Sequence, residues 1–141
     1  MVFLYSSNPQ ASLEKIDALI DAHTLATFPE LNEANLFSQQ YAIEIIVSQQ
    51  FVGGVAFTKQ YDSIHVNALA VDSHYRQQQY GTLLMQELEK YCEDLDVHTI
   101  SLSTLSYQAL GFYQKLAYQL AGQIPDYPTQ GMTKYFLFKK L

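Results

Sequence analysis

Residues 64–95 bring a strand, a polar loop and a helix together, and the join reads ALAVDSHYRQQQYGTLLMQELEKY. The first amides of a helix have no partner within it and carry the positive end of its dipole. Amides of the preceding loop can add to them and make a concave anion site. A pyrophosphate suits such a site. Arg76, the one arginine of the chain, stands at the start of this loop, and Gly81 near the helix start lets a ligand approach the backbone. An ordinary crossover loop has the same outline, and the loop by itself does not distinguish the two. The other reactive side chains point to no site. His23, His74 and His98 lack metal-ligand spacing, so no metal centre is expected. Cys92 falls on the apolar stripe of a helix and reads as core.

The elements that must position the loop follow from periodicity. Residues 2–6 predict a short strand, Asn8-Pro9 a turn, and Ser12 a helix cap. Leu13, Ile16, Leu19 and Ile20 then recur at helical spacing. Beyond Pro29 a second short helix is expected over about 30–39. Residues 42–48, 51–58 and 64–71 are rich in Val, Ile and Phe and predict three consecutive antiparallel strands. Gly53-Gly54 within the second suggests a bulge or a close backbone approach. Helical period returns over 81–95, followed by a strand at 97–103, a short helix at 107–116, and strands at 118–124 and 132–140. The order predicts a mixed sheet with helices on its faces. The unit 64–71, 81–95, 97–103 reads as a right-handed crossover joining parallel strands.

Composition narrows the function classes. The chain has 141 residues, 48% apolar and 16% charged, with no internal repeat or linker-like tract, so one domain over 1–141 is expected. No apolar run approaches the ~20 residues of a membrane span. The segment MVFLYSSNPQ lacks the pattern of a signal peptide, and a lone cysteine excludes an internal disulfide, so the expected compartment is the cytoplasm. The net charge of -6 is unevenly placed: residues 1–75 hold eight acids and two lysines, while residues 76–141 hold six of each sign. An acidic half makes a poor nucleic-acid binder and can attract a cationic small molecule, although the same charge also serves plain solubility.

At the loop, Arg76-Gln77-Gln78-Gln79-Tyr80-Gly81 resembles the coenzyme A loop of the GCN5-related N-acetyltransferase family, Q/R-x-x-G-x-G/A, with Arg76 and Gly81 matching. The following helix fits too, with Leu84-Met85 and Glu89. Downstream, Ala109-Leu110-Gly111-Phe112-Tyr113-Gln114-Lys115-Leu116-Ala117-Tyr118 resembles the family's A-x-x-F/L-Y-x-K-x-G-F/Y segment. The resemblance covers roughly residues 41–141 and is carried by two motifs at the right separation. It implies an α+β, three-layer α/β/α fold, with a mixed, mostly antiparallel sheet, helices on both faces and a splayed parallel strand pair at the cofactor site.

The resemblance also implies a mechanism. Acetyl-coenzyme A would lie where strands 64–71 and 97–103 part. Backbone groups of Leu69, Ala70 and Val71 would bond the pantetheine arm, and amides from Arg76 through Gln77, Gln78, Gln79, Tyr80, Gly81 and Thr82 would hold the pyrophosphate. An acceptor amine would attack the thioester directly, with Tyr113 as general acid to the departing thiolate. Counting back from Arg76 places His65 at the family's general-base position, with a water chain to Glu44 or another N-terminal acid as the alternative. Three positions depart from the pattern. Gln79 replaces a glycine and must keep a negative φ or pay strain. Ser106 stands where an asparagine often anchors the cofactor. Ala117 replaces a glycine where a left-handed turn costs Ala about 1 kcal/mol. The expected activity is acetyl transfer to a primary amine of a small cationic molecule, with no nucleic acid or membrane as partner and a homodimer left open. The alternatives are an acyl-coenzyme A sensor with little turnover, and acylation of a lysine-rich macromolecule.

Overall fold

The structure is a computed structural model that describes residues 1–31 and 38–141. It forms two compact units, Met1–Phe37 and Ser38–Leu141. Among the described residues the first carries helix α1 (Gln10–Thr27). No strand forms at residues 2–6. Their apolar run has strand composition, but a strand needs a hydrogen-bonding partner, and the described ladders all join other segments. Nor does Ser12 cap α1. The helix starts at Gln10 directly after Pro9, whose ring fixes φ at -84° and whose missing amide would be unpaired there anyway. The helix expected over 30–39 falls largely on residues outside those described.

The second unit holds six strands: β1 (Gln39–Val47), β2 (Gln50–Gln60), β3 (Ser63–Val71), β4 (Thr99–Thr104), β5 (Gln119–Pro125) and β6 (Thr133–Lys140). Its helices are α2 (Tyr80–Asp94) and α3 (Tyr107–Lys115). The sheet order is β1-β2-β3-β4-β6-β5, antiparallel throughout except for the parallel pair β3–β4. This is the expected mixed sheet.

One core lies on one sheet face. Ile64 and Val66 of β3, and Ile100 and Leu102 of β4, alternate inward and meet Leu84, Met85, Leu88 and Cys92 of α2 and Leu110 and Tyr113 of α3. Each such large apolar side chain contributes about 1.5–3 kcal/mol when fully buried. The stripe on α2 recurs at helical spacing, which is why the sequence folds there as a helix and not a strand.

Both readings of Gly53-Gly54 hold. The β1–β2 register slips between Ile45 and Ile46, next to Gly53. A Cβ on Gly53 would stand 2.6 Å from the Ala70 carbonyl oxygen, so only glycine lets β2 come this close to the end of β3. A second slip in β3, between the pairs Ala56–Ala68 and Phe57–Val66, leaves Asn67 as an extra residue.

Glu89, Lys139 and the end of α3 form a brace. Lys139 Nζ donates to both Glu89 carboxylate oxygens at 2.9 Å and to the Leu116 carbonyl at 3.0 Å. Three elements are thus tied at one ammonium group, and its geometry is the kind in which an ion pair gains most.

Candidate active site

The site begins where a ladder ends. β3 and β4 pair only at Ser63–Thr99, Ile64–Ile100 and His65–Ser101. Both strands continue, β3 to Val71 and β4 to Thr104, with no further rungs between them. Backbone groups facing each other across this opening have no ladder partner there, and groups of this kind can serve a ligand.

A cavity of about 560 Å³ lies beside the opening. Leu69, Ala70 and Val71 line it from β3, and Ser106, Ala109, Phe112 and Tyr113 from α3 and its cap. A second cavity, of about 320 Å³, is lined by Gln77, Gln79, Tyr80, Gly81 and Thr82 at the start of α2, with Tyr75 beside them. Val71, Arg76 and Phe112 border both cavities, so the two adjoin. Of the expected cofactor residues only Gln78 lines neither cavity.

The loop between β3 and α2 is shaped locally. Asp72 N donates to Val52 O at 2.8 Å, which continues the β2–β3 contact past the strand end. Asp72 Oδ1 accepts from the His74 amide and meets its Nδ1, both at 2.8 Å, and the chain turns through a short 3₁₀ segment, Ser73–Tyr75. Those bonds, the amide first, hold the Asp72 carboxyl below the usual carboxylate range. Arg76 Nε then donates to Val71 O at 3.4 Å. Gln77 and Gln79 follow at φ 62° and 64°. Gln79 therefore does not keep a negative φ. It adopts the left-handed conformation of the glycine it replaces and bears the strain, because the loop must turn there to enter α2.

Gly81 lies against a neighbouring helix. A Cβ there would stand 3.4 Å from the Phe112 ring, in ordinary van der Waals contact, so α3 packs close against the first turn of α2. Periodicity could not reveal this, since Phe112 lies on another helix.

Tyr113 is buried to 8% exposure and lines the larger cavity. Its ring meets Phe112 at 5.0 Å and Tyr118 at 5.8 Å, both edge-on. Burial pushes its phenol above the ordinary value. The backbone holds it at both ends of α3. Ser106 Oγ accepts from Ala109 N at 3.3 Å, so Ser106 caps this helix as well as lining the cavity. At the other end Ala117 takes φ 68°, while Tyr118 N donates to the Tyr113 carbonyl and Ala117 N to that of Gln114, each at 3.0 Å. This is a Schellman closure, and Ala117 pays the left-handed cost expected of it.

His65 lies elsewhere. Its Nδ1 is 3.0 Å from Ser101 Oγ on the last paired rung, and it lines neither cavity. It alternates with the core residues Ile64 and Val66, so it faces the other side of the sheet from Tyr113. Glu44, on β1, pairs with Gly54, which pairs in turn with Ala70. Tyr75 and Phe112 were not marked as site residues from the sequence. Phe112 could have been found from the helical face it shares with Ala109 and Tyr113.

Among the described residues no group of three His, Cys, Asp or Glu side chains could hold a metal ion, and no helix is long and apolar enough to cross a membrane.

Comparison with known proteins agrees with this geometry. A family model described as Acetyltransferase (GNAT) family matches residues 12–118. Blasticidin-S acetyltransferase of Streptomyces morookaense is 36% identical over 93 residues, spanning 65% of this chain and 68% of its own. A crystal structure of an acetyltransferase from Bacillus cereus superposes with a TM-score of 0.82 at 22% identity, covering 100% of this chain and 98% of the other. An aminoglycoside 6'-N-acetyltransferase solved with coenzyme A gives a TM-score of 0.66 at 19% identity, covering 99% and 97%. The chain belongs to the GNAT family of acetyltransferases.

Proposed function

We propose that this acetyltransferase moves the acetyl group of acetyl-coenzyme A to a primary amine of a small cationic molecule. The observation that carries the reading is the β3–β4 ladder that stops after three rungs, with the buried Tyr113 lining the cavity beside the opening. Acetyl-coenzyme A is the cosubstrate. Its pantetheine arm takes the free backbone groups of Leu69, Ala70 and Val71. Its pyrophosphate takes the amides of residues 76–82 at the start of α2. A free amide on β3 stabilises negative charge on the thioester oxygen.

The acceptor nitrogen bonds to the acetyl carbon and the carbon–sulfur bond breaks. The thiolate takes its proton from the Tyr113 hydroxyl, and the ammonium gives one up to a base. His65 fits the base because it lies on the opposite sheet face, at the foot of the opening, with Nδ1 held by Ser101. Acid and base on opposite faces keep the two proton transfers apart. The Glu44–Gly54–Ala70 row supports Glu44 as the alternative base.

Relatives named for acetylating blasticidin S and aminoglycosides support a small-molecule acceptor. The acid surplus in residues 1–75 supports a cationic one. A single acetyltransferase domain over 1–141, resident in the cytoplasm, completes the proposal, and the family match crosses both compact units. A homodimer is the proposed assembly. β5 is an edge strand without a charged residue, and such an edge is open to pairing.

The test is thiol release from acetyl-coenzyme A across a panel of amines. Release should depend on the amine, be fastest with cations, and show a kcat/KM that falls as salt rises. Cofactor binding with no amine-dependent release would sink the transferase reading, and a best substrate that is anionic would sink the electrostatic one.

A further inference from the structure

Lys139 stands where the sheet calls for an apolar side chain. It pairs with the buried Ile100 across the β4–β6 ladder and alternates with Tyr135 and Leu137, so its stem lies on the core face. The side chains of Lys139 and Glu89 are 23% and 24% exposed. An ion pair this far withdrawn from water costs desolvation, and two apolar side chains would serve stability as well. Its contacts show what it does instead. They converge on the end of α3. Lys139 Nζ holds the Leu116 carbonyl at 3.0 Å and stands 5.6 Å from the centre of the Tyr118 ring. Burial first, then the Glu89 charge, push the Tyr118 phenol up, so its hydroxyl stays protonated near that carboxylate. Leu116 and Tyr118 in turn hold Tyr113. Both of their amides donate to the Tyr113 carbonyl at 3.0 Å, and the Tyr118 ring meets the Tyr113 ring edge-on at 5.8 Å. One route runs through the backbone and the other through the rings, from one ion pair to one residue. Neither Glu89 nor Lys139 lines either cavity of the site. Burial is what raises the Tyr113 phenol, so the pair reaches it through position and not through charge.

We infer that the Glu89–Lys139 pair positions the Tyr113 hydroxyl for proton transfer, by fixing Leu116 and Tyr118 at the end of α3. The inference rests on the proposed acid role of Tyr113 and extends it to two positioning residues that touch no substrate. Two consequences follow. Loss of the pair should slow the chemical step and leave cofactor binding alone. That loss should also depend on the hydroxyl: where Tyr113 has none, the pair has nothing to aim.

A double-mutant cycle of Lys139→Met with Tyr113→Phe reads both consequences, with kcat and the acceptor KM from thiol release and acetyl-coenzyme A affinity from calorimetry. Lys139→Met keeps an apolar stem and removes the ammonium. It should lower kcat about tenfold, as a small misplacement of the acid would, and change KM and cofactor affinity by less than about twofold. In the Tyr113→Phe background the same substitution should lower kcat by less than about twofold further. An equal loss in both backgrounds, or a matching loss of cofactor affinity, would show that the pair only holds the fold. A wild-type kcat in Lys139→Met would show that it positions nothing. Each of these overturns the inference and leaves the acid role standing. Should Lys139→Met not fold, Lys139→Met combined with Glu89→Gln, which leaves no unpaired charge, carries the same cycle with the same outcomes. A wild-type rate in Tyr113→Phe overturns the acid role itself.

Discussion

At the scale of the residue, Tyr113 separates into two roles. Its ring packs against Phe112 and Tyr118, and its hydroxyl alone can move a proton. Tyr113→Phe keeps the first and deletes the second. It should therefore lower kcat by about 10²-fold, the low end for general acid catalysis with a thiolate leaving group, with little change in acetyl-coenzyme A affinity. Burial raises the phenol's pKa, so the protonated donor persists past the ordinary value of about 10. The wild-type rate should hold to about pH 10 and fall above it, and the phenylalanine variant should lack that limb. A wild-type rate in the variant would make Tyr113 a packing residue. Gln79 offers a second measurement. At φ 64° it already has a glycine's backbone, so Gln79→Gly removes strain and should keep or tighten cofactor binding. Gln79→Val places a branched side chain at the same angle and should weaken it. Tyr113 and the loop were legible because their motifs fix type and spacing together. The angle at Gln79 was not, since a glutamine in sequence argues for the opposite conformation.

At the scale of the element, the sheet was readable because Val, Ile and Phe runs alternate between turn signals, and five of the six strands begin within two residues of the predicted start. The sixth, β1, starts at Gln39, ahead of the apolar run. Residues 2–6 show the limit of the method: composition describes what a strand is made of, and only tertiary structure supplies what it pairs with. The same holds for the strand expected at 97. Asp96 turns at φ 54°, Val97 N returns to Cys92 O, and the ladder begins at Thr99. Gly53 is where an element-scale change should reach the site. Gly53→Ala puts a Cβ 2.6 Å from Ala70 O, and two backbones must shift. The expected cost is about 1–3 kcal/mol in denaturant unfolding, together with a weaker grip on the pantetheine arm, since Ala70 lines that cavity. Unchanged stability and affinity would show that the strands yield there freely.

At the scale of the whole molecule, the core decides what the one cysteine can do. Cys92 is fully buried, and burial first, then the Glu89 charge, pushes its thiol up to about 11. A thiol reagent at pH 8 should therefore react at the rate of unfolding, and fast labelling of native protein would contradict the packing around α2. The same shift sets a sign for stability. The folded form holds its thiol proton more firmly than the unfolded chain, whose thiol titrates near 9.0, so this contribution is complete below about pH 9 and is lost as pH rises through about 11. The charge imbalance was legible from the sequence alone, because it needs only a count. The two adjoining cavities were not, because they are made by elements brought together from β3, the start of α2 and α3.

Phe112 borders both cavities and rests on Gly81, one residue before Tyr113 along α3. On the proposed reading, the wall that bounds the phosphate end of the cosubstrate is thus also a wall of the reacting end. Two fragments of the cosubstrate, offered separately, should not bind as strangers: adenosine 3′,5′-bisphosphate should alter the affinity for an acetyl-pantetheine fragment, and by thermodynamic reciprocity the fragment should alter the affinity for the nucleotide by the same factor. Phe112→Ala removes the shared partition, and the factor should collapse toward one.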